Sequence, residues 1–309
     1  MKRIVIGTRG SPLARWQAAY VASALRAAHS DLRVEERVIV TEGDRLTSGP
    51  LWHAGGKGVW VKEIEAALLA RDIDLAVHSM KDVPGELAPG LVLIAVPSRA
   101  DVRDAVVSRT GKGLDALPAA ARVGTTSLRR ACQLKAVRPD LDLQILRGNL
   151  DTRLRKVAEG VVDAAVLACA GLDRLGLAER IAERLPIERM LPAVGQGALA
   201  VEARGDDRRA HEACQVLNDR ETATAVAAER AYLARLGASC RTPVAGYARF
   251  EGGGLTMDGL VGRPDGSELI SDRASGSVDD AVEVGVRLAE GLLARGAEAI
   301  LAASPEVGP

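Results

Sequence analysis

Ile73-Asp74-Leu75-Ala76-Val77-His78-Ser79-Met80-Lys81-Asp82-Val83-Pro84-Gly85 decides how the first third of the chain is read. The stretch from Ile73 to Val77, apolar apart from Asp74, has the length of a buried strand, and Pro84-Gly85 punctuates the polar turn that follows it. Upstream, Val59 to Ala70 has helical spacing and Arg33 to Val40 alternates like a strand. Ile4 to Ile6 is a short apolar run ending at Gly7, and Pro12 suits the first turn of a helix running to about Ala28. Strand and helix alternate, the rhythm in which ligands bind beyond the carboxyl ends of strands. The polar residues after each strand are therefore site candidates.

The rhythm restarts after Pro97. Ala105 to Val107, Arg122 to Gly124, Leu143 to Leu146 and Ala164 to Leu167 read as strands, with helices near 127 to 137 and 151 to 159. Two α/β lobes are expected, 1–98 with 198–218 and 99–197, joined near 97 to 104 and again near 193 to 200, with a cleft between them. From Thr222 the pattern changes: helix from Ala223 to Leu236, strands over Pro243 to Phe250, Leu255 to Val261 and Glu268 to Ser271, then a helix from Val278 to Ala294. This predicts a small C-terminal α+β domain over 219–309.

With 309 residues, 47% of them hydrophobic, the chain has material for several buried cores. Its 41 basic residues equal its 41 acidic ones, so no overall field draws it to nucleic acid or to a membrane surface. Seven aromatic residues are too few for a base-stacking platform. No run of eighteen uncharged apolar residues occurs and the N-terminal apolar run is too short for a secretory signal, so a cytoplasmic location is expected. Four scattered histidines and four cysteines without a CxxC pair carry no metal signature.

Arginine, with thirty-four copies against seven lysines, gathers at element ends: Arg9 before Ser11, Arg129 and Arg130 after Ser127, and Arg147, Arg153 and Arg155 around Gly148-Asn149. Guanidinium forks match carboxylates, and helix N-termini at Ser11 and Ser127 would add amide donors. The same residues could serve as ordinary surface ion pairs. Asp82, on a rigid turn beside Lys81, can accept hydrogen bonds from cationic N–H groups and transfer a proton; it could equally cap its turn. Gly55-Gly56-Lys57-Gly58 lacks phosphate-loop spacing and suits a mobile lid. Cys132, Cys169 and Cys214 sit in apolar or helical surroundings, where cysteine is commonly a core residue. Cys240 differs, because Gly237-Ala238-Ser239 before it and Arg241-Thr242-Pro243 after it leave the sulfur open, with a neighbouring cation to favour the thiolate.

Taken together, Ile6 to Ala14, Gly55 through Asp82, Val123 to Leu134, Arg147 to Leu154, Leu191 to Glu202 and Glu229 to Pro243 resemble the porphobilinogen deaminase (hydroxymethylbilane synthase) family, in family order along nearly the whole chain. The resemblance implies two periplasmic-binding-protein-like α/β lobes with a small C-terminal α+β domain. It further implies an enzyme that joins four porphobilinogen molecules head to tail, releasing an ammonia at each addition, on a dipyrromethane cofactor held as a thioether at Cys240. Asp82 matches the family's catalytic aspartate. Lys81, Ser127, Arg129 and Arg130 match cofactor-binding positions, and Arg9, Ser11, Arg147, Arg153 and Arg174 match positions that bind the carboxylates of the substrate and the growing pyrrole chain. A monomer, without nucleic-acid or membrane partners, is the family expectation.

Two departures stand out. Ala238-Ser239 replaces the usual glycine pair before the cysteine, and Trp60 replaces a common phenylalanine, either to cover a pyrrole face or to pack the core. Without the resemblance, a two-lobed small-anion binding protein lacking catalysis would use similar arginines.

Overall fold

The computed structural model describes residues 3–45, 60–239 and 242–303. In chain order its elements are β1 (Arg3–Thr8), α1 (Pro12–Ala28), β2 (Arg33–Val38), α2 (Glu42–Arg45), α3 (Lys62–Leu69), β3 (Leu75–Ser79), β4 (Leu91–Ala95), β5 (Asp104–Ser108), β6 (Arg122–Gly124), α4 (Leu128–Val137), β7 (Asp142–Gln144), α5 (Leu150–Ala158), β8 (Ala164–Ala168), α6 (Cys169–Arg174), β9 (Glu183–Arg184), β10 (Leu199–Arg204), α7 (Arg208–Cys214), α8 (Arg220–Arg235), β11 (Val244–Glu251), β12 (Gly254–Gly262), β13 (Leu269–Gly276), α9 (Ala281–Ala294) and α10 (Ala297–Ala303). The backbone divides into two compact units. Of the described residues, the first takes 3–45 and 60–100 together with Ala198–Ala223; the second takes Asp101–Gly197 with 224–239 and 242–303.

The first unit is built on a five-stranded sheet in the order β2-β1-β3-β10-β4. β1 pairs in parallel with β2 and β3, so the turns following β1 and β3 leave the sheet at the same edge. α1 starts there, with Pro12 in its first turn and Ser11 as N-cap, its Oγ accepting from Ala14 N at 3.3 Å. Its buried stripe, Ala18, Val21, Ala22 and Leu25, packs with Ile4, Ile6, Leu75 and Val201.

The second unit repeats the plan in the sheet β7-β6-β8-β5-β9. In each five-stranded sheet the fourth strand is reversed: β10 runs antiparallel to β3, and β5 antiparallel to β8. Each reversed strand is the first strand formed after the chain passes from one unit to the other.

The sequence reading assigned Leu199 and Ala200 to a joining segment, whereas they begin β10, all six of whose residues are buried. Two charges hid it. Glu202 meets His78 at 2.9 Å, and Arg204 Nη1 donates to the carbonyls of Leu68 and Ile73 at 2.7 Å each, so a charged sequence occupies a buried strand. The strand expected to Val40 ends at Val38, and the Gly55–Gly58 reading lies outside the described residues.

The C-terminal part of the second unit carries the antiparallel sheet β11-β12-β13, covered by α8 and α9 around the fully buried Tyr232, whose hydroxyl donates to Leu260 O at 3.3 Å. α9 approaches α8 at Gly285, where an added Cβ would lie 2.0 Å from Ala228 O. Overpacking a contact of this kind costs about 1–3 kcal/mol. Gly285→Ala is therefore expected to lower unfolding stability by about that amount, read from the denaturant midpoint with an unchanged slope.

Candidate functional site

β1 and β3 deliver their turns to one pocket. Beyond β1 come Arg9 and the α1 cap Ser11; beyond β3 come Ser79 and the single 3₁₀ turn Met80–Asp82. That turn is pinned at both ends, Met80 N donating to Ala198 O at 3.0 Å and Val83 N to Met80 O at 3.1 Å. The lining joins Arg9, Ser11, Gln17, Trp60, His78, Ser79 and Asp82. Gln17 Nε2 donates to Ser79 Oγ at 2.8 Å, tying α1 to the end of β3. Lys81 is half-buried on the same turn as Asp82. Trp60 lies under a cation, with Arg9 Cζ 4.0 Å from its ring centroid.

Arg9 is also ion-paired with Asp44, a residue that carried no signal in the sequence. Burial works against ionisation of Asp44, but the Arg9 guanidinium and hydrogen bonds from Thr41 outweigh it and hold the carboxyl below its usual range. His78, one of the four histidines and part of the pocket lining, is bonded to the buried Glu202 at 2.9 Å. Glu65 lies in the same buried group, where burial raises its pKa.

The second unit holds its own cationic group at the N-terminus of α4. Ser127 caps the helix, its Oγ accepting from Arg130 N at 3.4 Å. Arg129 and Arg130 are not surface arginines, being 4% and 6% exposed, and both turn onto Asp104 of β5. Arg129 Nη1 donates to Asp104 Oδ2 at 2.7 Å and to Leu191 O at 2.7 Å; Arg130 donates to Oδ1 from Nε at 3.1 Å and from Nη2 at 2.7 Å. Gln196 Nε2 adds a fourth side-chain donor to that carboxylate at 3.0 Å. Burial alone would raise the pKa of Asp104, yet the two guanidiniums hold it far below the ordinary range. Two guanidiniums to one carboxylate leave one positive charge in excess, and Arg129 Nε is buried without a hydrogen-bond partner among the described residues.

Three further predicted arginines lie in the same unit. Arg153 Nε donates to Gly148 O at 2.8 Å, Arg174 Nη2 to Gly197 O at 2.7 Å, and burial lowers the pKa of Arg147. Arg9, Ser11, Lys81 and Asp82 thus belong to the first unit, and Ser127, Arg129, Arg130, Arg147, Arg153 and Arg174 to the second.

Burial pushes the thiols of Cys132 and Cys214 up to about 12 and that of Cys169 up to about 11. All three are core residues, as their surroundings in sequence suggested. Cys240 lies outside the described residues.

Two family models match this chain in succession: the dipyromethane cofactor binding domain of porphobilinogen deaminase over residues 4–212, and the C-terminal domain of that enzyme over 223–294. The chain belongs to the porphobilinogen deaminase family. A porphobilinogen deaminase of Syntrophotalea carbinolica is 53% identical over 298 residues, covering 96% of this chain and 95% of the relative. Membership decides between the two readings of the sequence, in favour of an enzyme over a non-catalytic anion-binding protein. Among solved structures, the methionine-binding protein MetQ shares 16% identity at a TM-score of 0.44, covering 74% of this chain and 94% of its own. An arginine-specific periplasmic binding protein of Salmonella typhimurium shares 14% at 0.40, covering 72% and 94%.

Breaking the buried ion group should be costly, because removing one partner leaves buried charge uncompensated, typically about 3–5 kcal/mol. Asp104→Asn is expected to destabilise the protein by about that amount at neutral pH. The folded-state pKa of Asp104 is depressed, so its stabilisation is present above the ordinary carboxylate value and lost as pH falls below it. Denaturant unfolding at pH 7 and again near pH 3 checks this: the gap between wild type and variant narrows at the lower pH.

Proposed function

We propose that this chain joins four porphobilinogen molecules head to tail on a dipyrromethane primer tethered by Cys240, with Asp82 as the catalytic carboxylate, and then releases hydroxymethylbilane by hydrolysis. The observation that carries the reading is the meeting of Asp82, Arg9 and Ser11 in one pocket beyond two adjacent parallel strands.

The primer would be held by Lys81, Ser127, Arg129 and Arg130 besides the thioether. The donor set fits such a group, since the α4 N-terminus combines excess positive charge with an unused buried Nε, and the primer's acidic side chains are carboxylates. When bound, the primer supplies the pyrrole carbon to which the first substrate is joined.

The remaining chemistry falls to the chain's own residues. In each addition porphobilinogen loses ammonia as its C–N bond breaks, and positive charge develops on the substrate. Asp82 offers carboxylate oxygens to pyrrole N–H groups, stabilises that charge and takes up the proton that leaves as the ring regains aromaticity. Pinning of its turn fixes the backbone from which the carboxylate projects. Arg9, Ser11, Arg147, Arg153 and Arg174 bind acetate and propionate groups. Water-shielded contacts of this kind contribute about 1.5–3 kcal/mol each, exposed ones much less.

Three thiols held protonated by burial leave Cys240 as the sulfur suited to attachment. Intact-mass measurement of active protein is expected to exceed the sequence mass by a two-pyrrole increment that peptide mapping places on Cys240; active protein with a bare thiol would sink the tether. Asp82→Asn should keep the increment while slowing porphobilinogen consumption by about 10²–10⁴-fold, the usual range for a general acid–base group. Near-normal turnover of that variant at saturating substrate would remove Asp82 from the chemistry. The proposal includes a cytoplasmic location and a monomer, and light scattering near 32.4 kDa for the bare chain would support the monomer.

A further inference from the structure

Asp44 belongs to none of the roles above, yet it holds Arg9, a residue that lines the first unit's pocket. Arg9 Nε lies 3.1 Å from Asp44 Oδ1 and 3.3 Å from Oδ2, and Nη2 also donates to Oδ1. The carboxylate is itself fixed, with Thr41 N and Thr41 Oγ1 donating to Oδ2 at 3.2 and 2.9 Å, and Thr41 is fully buried. One face of the guanidinium lies against the Trp60 ring. Trp60 fits there because position 43 is glycine: a Cβ at Gly43 would lie 2.2 Å from Trp60 Cε3. Asp44, fixed by Thr41, and Trp60, accommodated by Gly43, thus hold the Arg9 side chain along one edge and one face.

What they leave open is as informative. The ion pair occupies the Nε and Nη2 edge, and no hydrogen bond reaches Arg9 Nη1 among the described residues. A guanidinium offers five N–H donors in a fixed plane, so fixing one edge fixes where the other must present itself. The pocket also contains Ser11 and Asp82.

We infer that Asp44 is a positioning residue for substrate binding, which locks Arg9 by its Nε edge so that the Nη1 edge is presented to a carboxylate of the incoming pyrrole. This rests on the proposed role of Arg9. The physical gain is pre-organisation: an unrestrained arginine carries about 2 kcal/mol of rotamer entropy, part of which would otherwise be lost on binding. Asp44 also neutralises Arg9, so recognition relies on the placement of N–H groups more than on net charge. The opposite reading makes Asp44 a resident competitor that a substrate carboxylate must displace, and it predicts the opposite sign.

Steady-state kinetics on cofactor-loaded enzyme, with loading checked by intact mass, separates these. Asp44→Ala is expected to raise KM for porphobilinogen about tenfold with kcat within about twofold, the signature of lost ground-state binding. Asp44→Asn keeps an oxygen acceptor for Arg9 and should recover about half of that loss on a logarithmic scale. In an Arg9→Ala background the effect of Asp44→Ala should vanish, because a positioning residue has nothing left to position. A lower KM for Asp44→Ala would establish the competitor and overturn positioning. An equal rise in KM with and without Arg9 would mean general damage to the pocket and overturn it too, as would an unchanged KM in Asp44→Ala alongside a raised KM in Arg9→Ala. An unchanged KM in Arg9→Ala alone would refute the substrate-binding role of Arg9 itself, and the positioning role with it.

Discussion

Asp104 is the constraint on which the second unit depends. It stands at the start of β5, where the chain has just entered the unit, and is fully buried. A carboxylate there is tolerable only if its charge is met by well-placed donors. Arg129 and Arg130 meet it from the first turn of α4, and Gln196 meets it from the segment by which the chain leaves. Entry strand, α4 and exit segment are therefore fastened at one point. Gly195 N extends the connection, donating to Glu229 Oε2 at 2.6 Å, while the other oxygen of Glu229 accepts from Ala248 N at 2.9 Å. A fully buried acid on α8 thus links the exit segment to β11.

The first unit solves the same problem with different residues. Its reversed strand β10 also carries a buried acid, Glu202, bonded to His78 at the end of the strand that leads to Asp82. In both units the reversed strand brings a carboxylate underneath the segment where ligand chemistry is proposed. This arrangement orients cationic or hydrogen-bonding groups without spending surface charge, and it suits a protein whose formal net charge is zero. Under the proposed function, anion recognition would rest on local placement, with Arg9, Arg129 and Arg130 each ion-paired before a ligand arrives.

How much of this was legible in the sequence follows from which signals are local. Strand and helix alternation, the Ser11-Pro12 start of α1 and the Ser127 start of α4 depend on neighbours a few residues apart, and they stand where the sequence placed them. Arg9, Ser11 and Asp82 could be named because they follow apolar strands directly. β10 could not be placed as well, because Glu202 and Arg204 look solvent-facing until partners far along the chain, His78, Leu68 and Ile73, are known. Asp44 was invisible for the same reason: nothing near Thr41-Glu42-Gly43-Asp44 announces that its carboxylate meets an arginine thirty-five positions earlier. Arg129 and Arg130 were singled out together, but their burial on Asp104 depends on a contact that spacing does not encode.

Trp60 shows how such long-range constraints alter the meaning of a residue. Read in isolation, its larger ring in place of phenylalanine suggested either a cover for a pyrrole or a core filler. In the structure one face of the ring is taken by the Arg9 guanidinium, and the ring also packs closely against Gly43. An indole offers a stronger cation-binding face than a phenyl ring, so the exchange strengthens the support of Arg9 and demands the absence of a side chain at position 43. The departure from the family pattern at position 60 is then tied to glycine at 43, a coupling that follows from the geometry of the pocket and that neither position reveals alone.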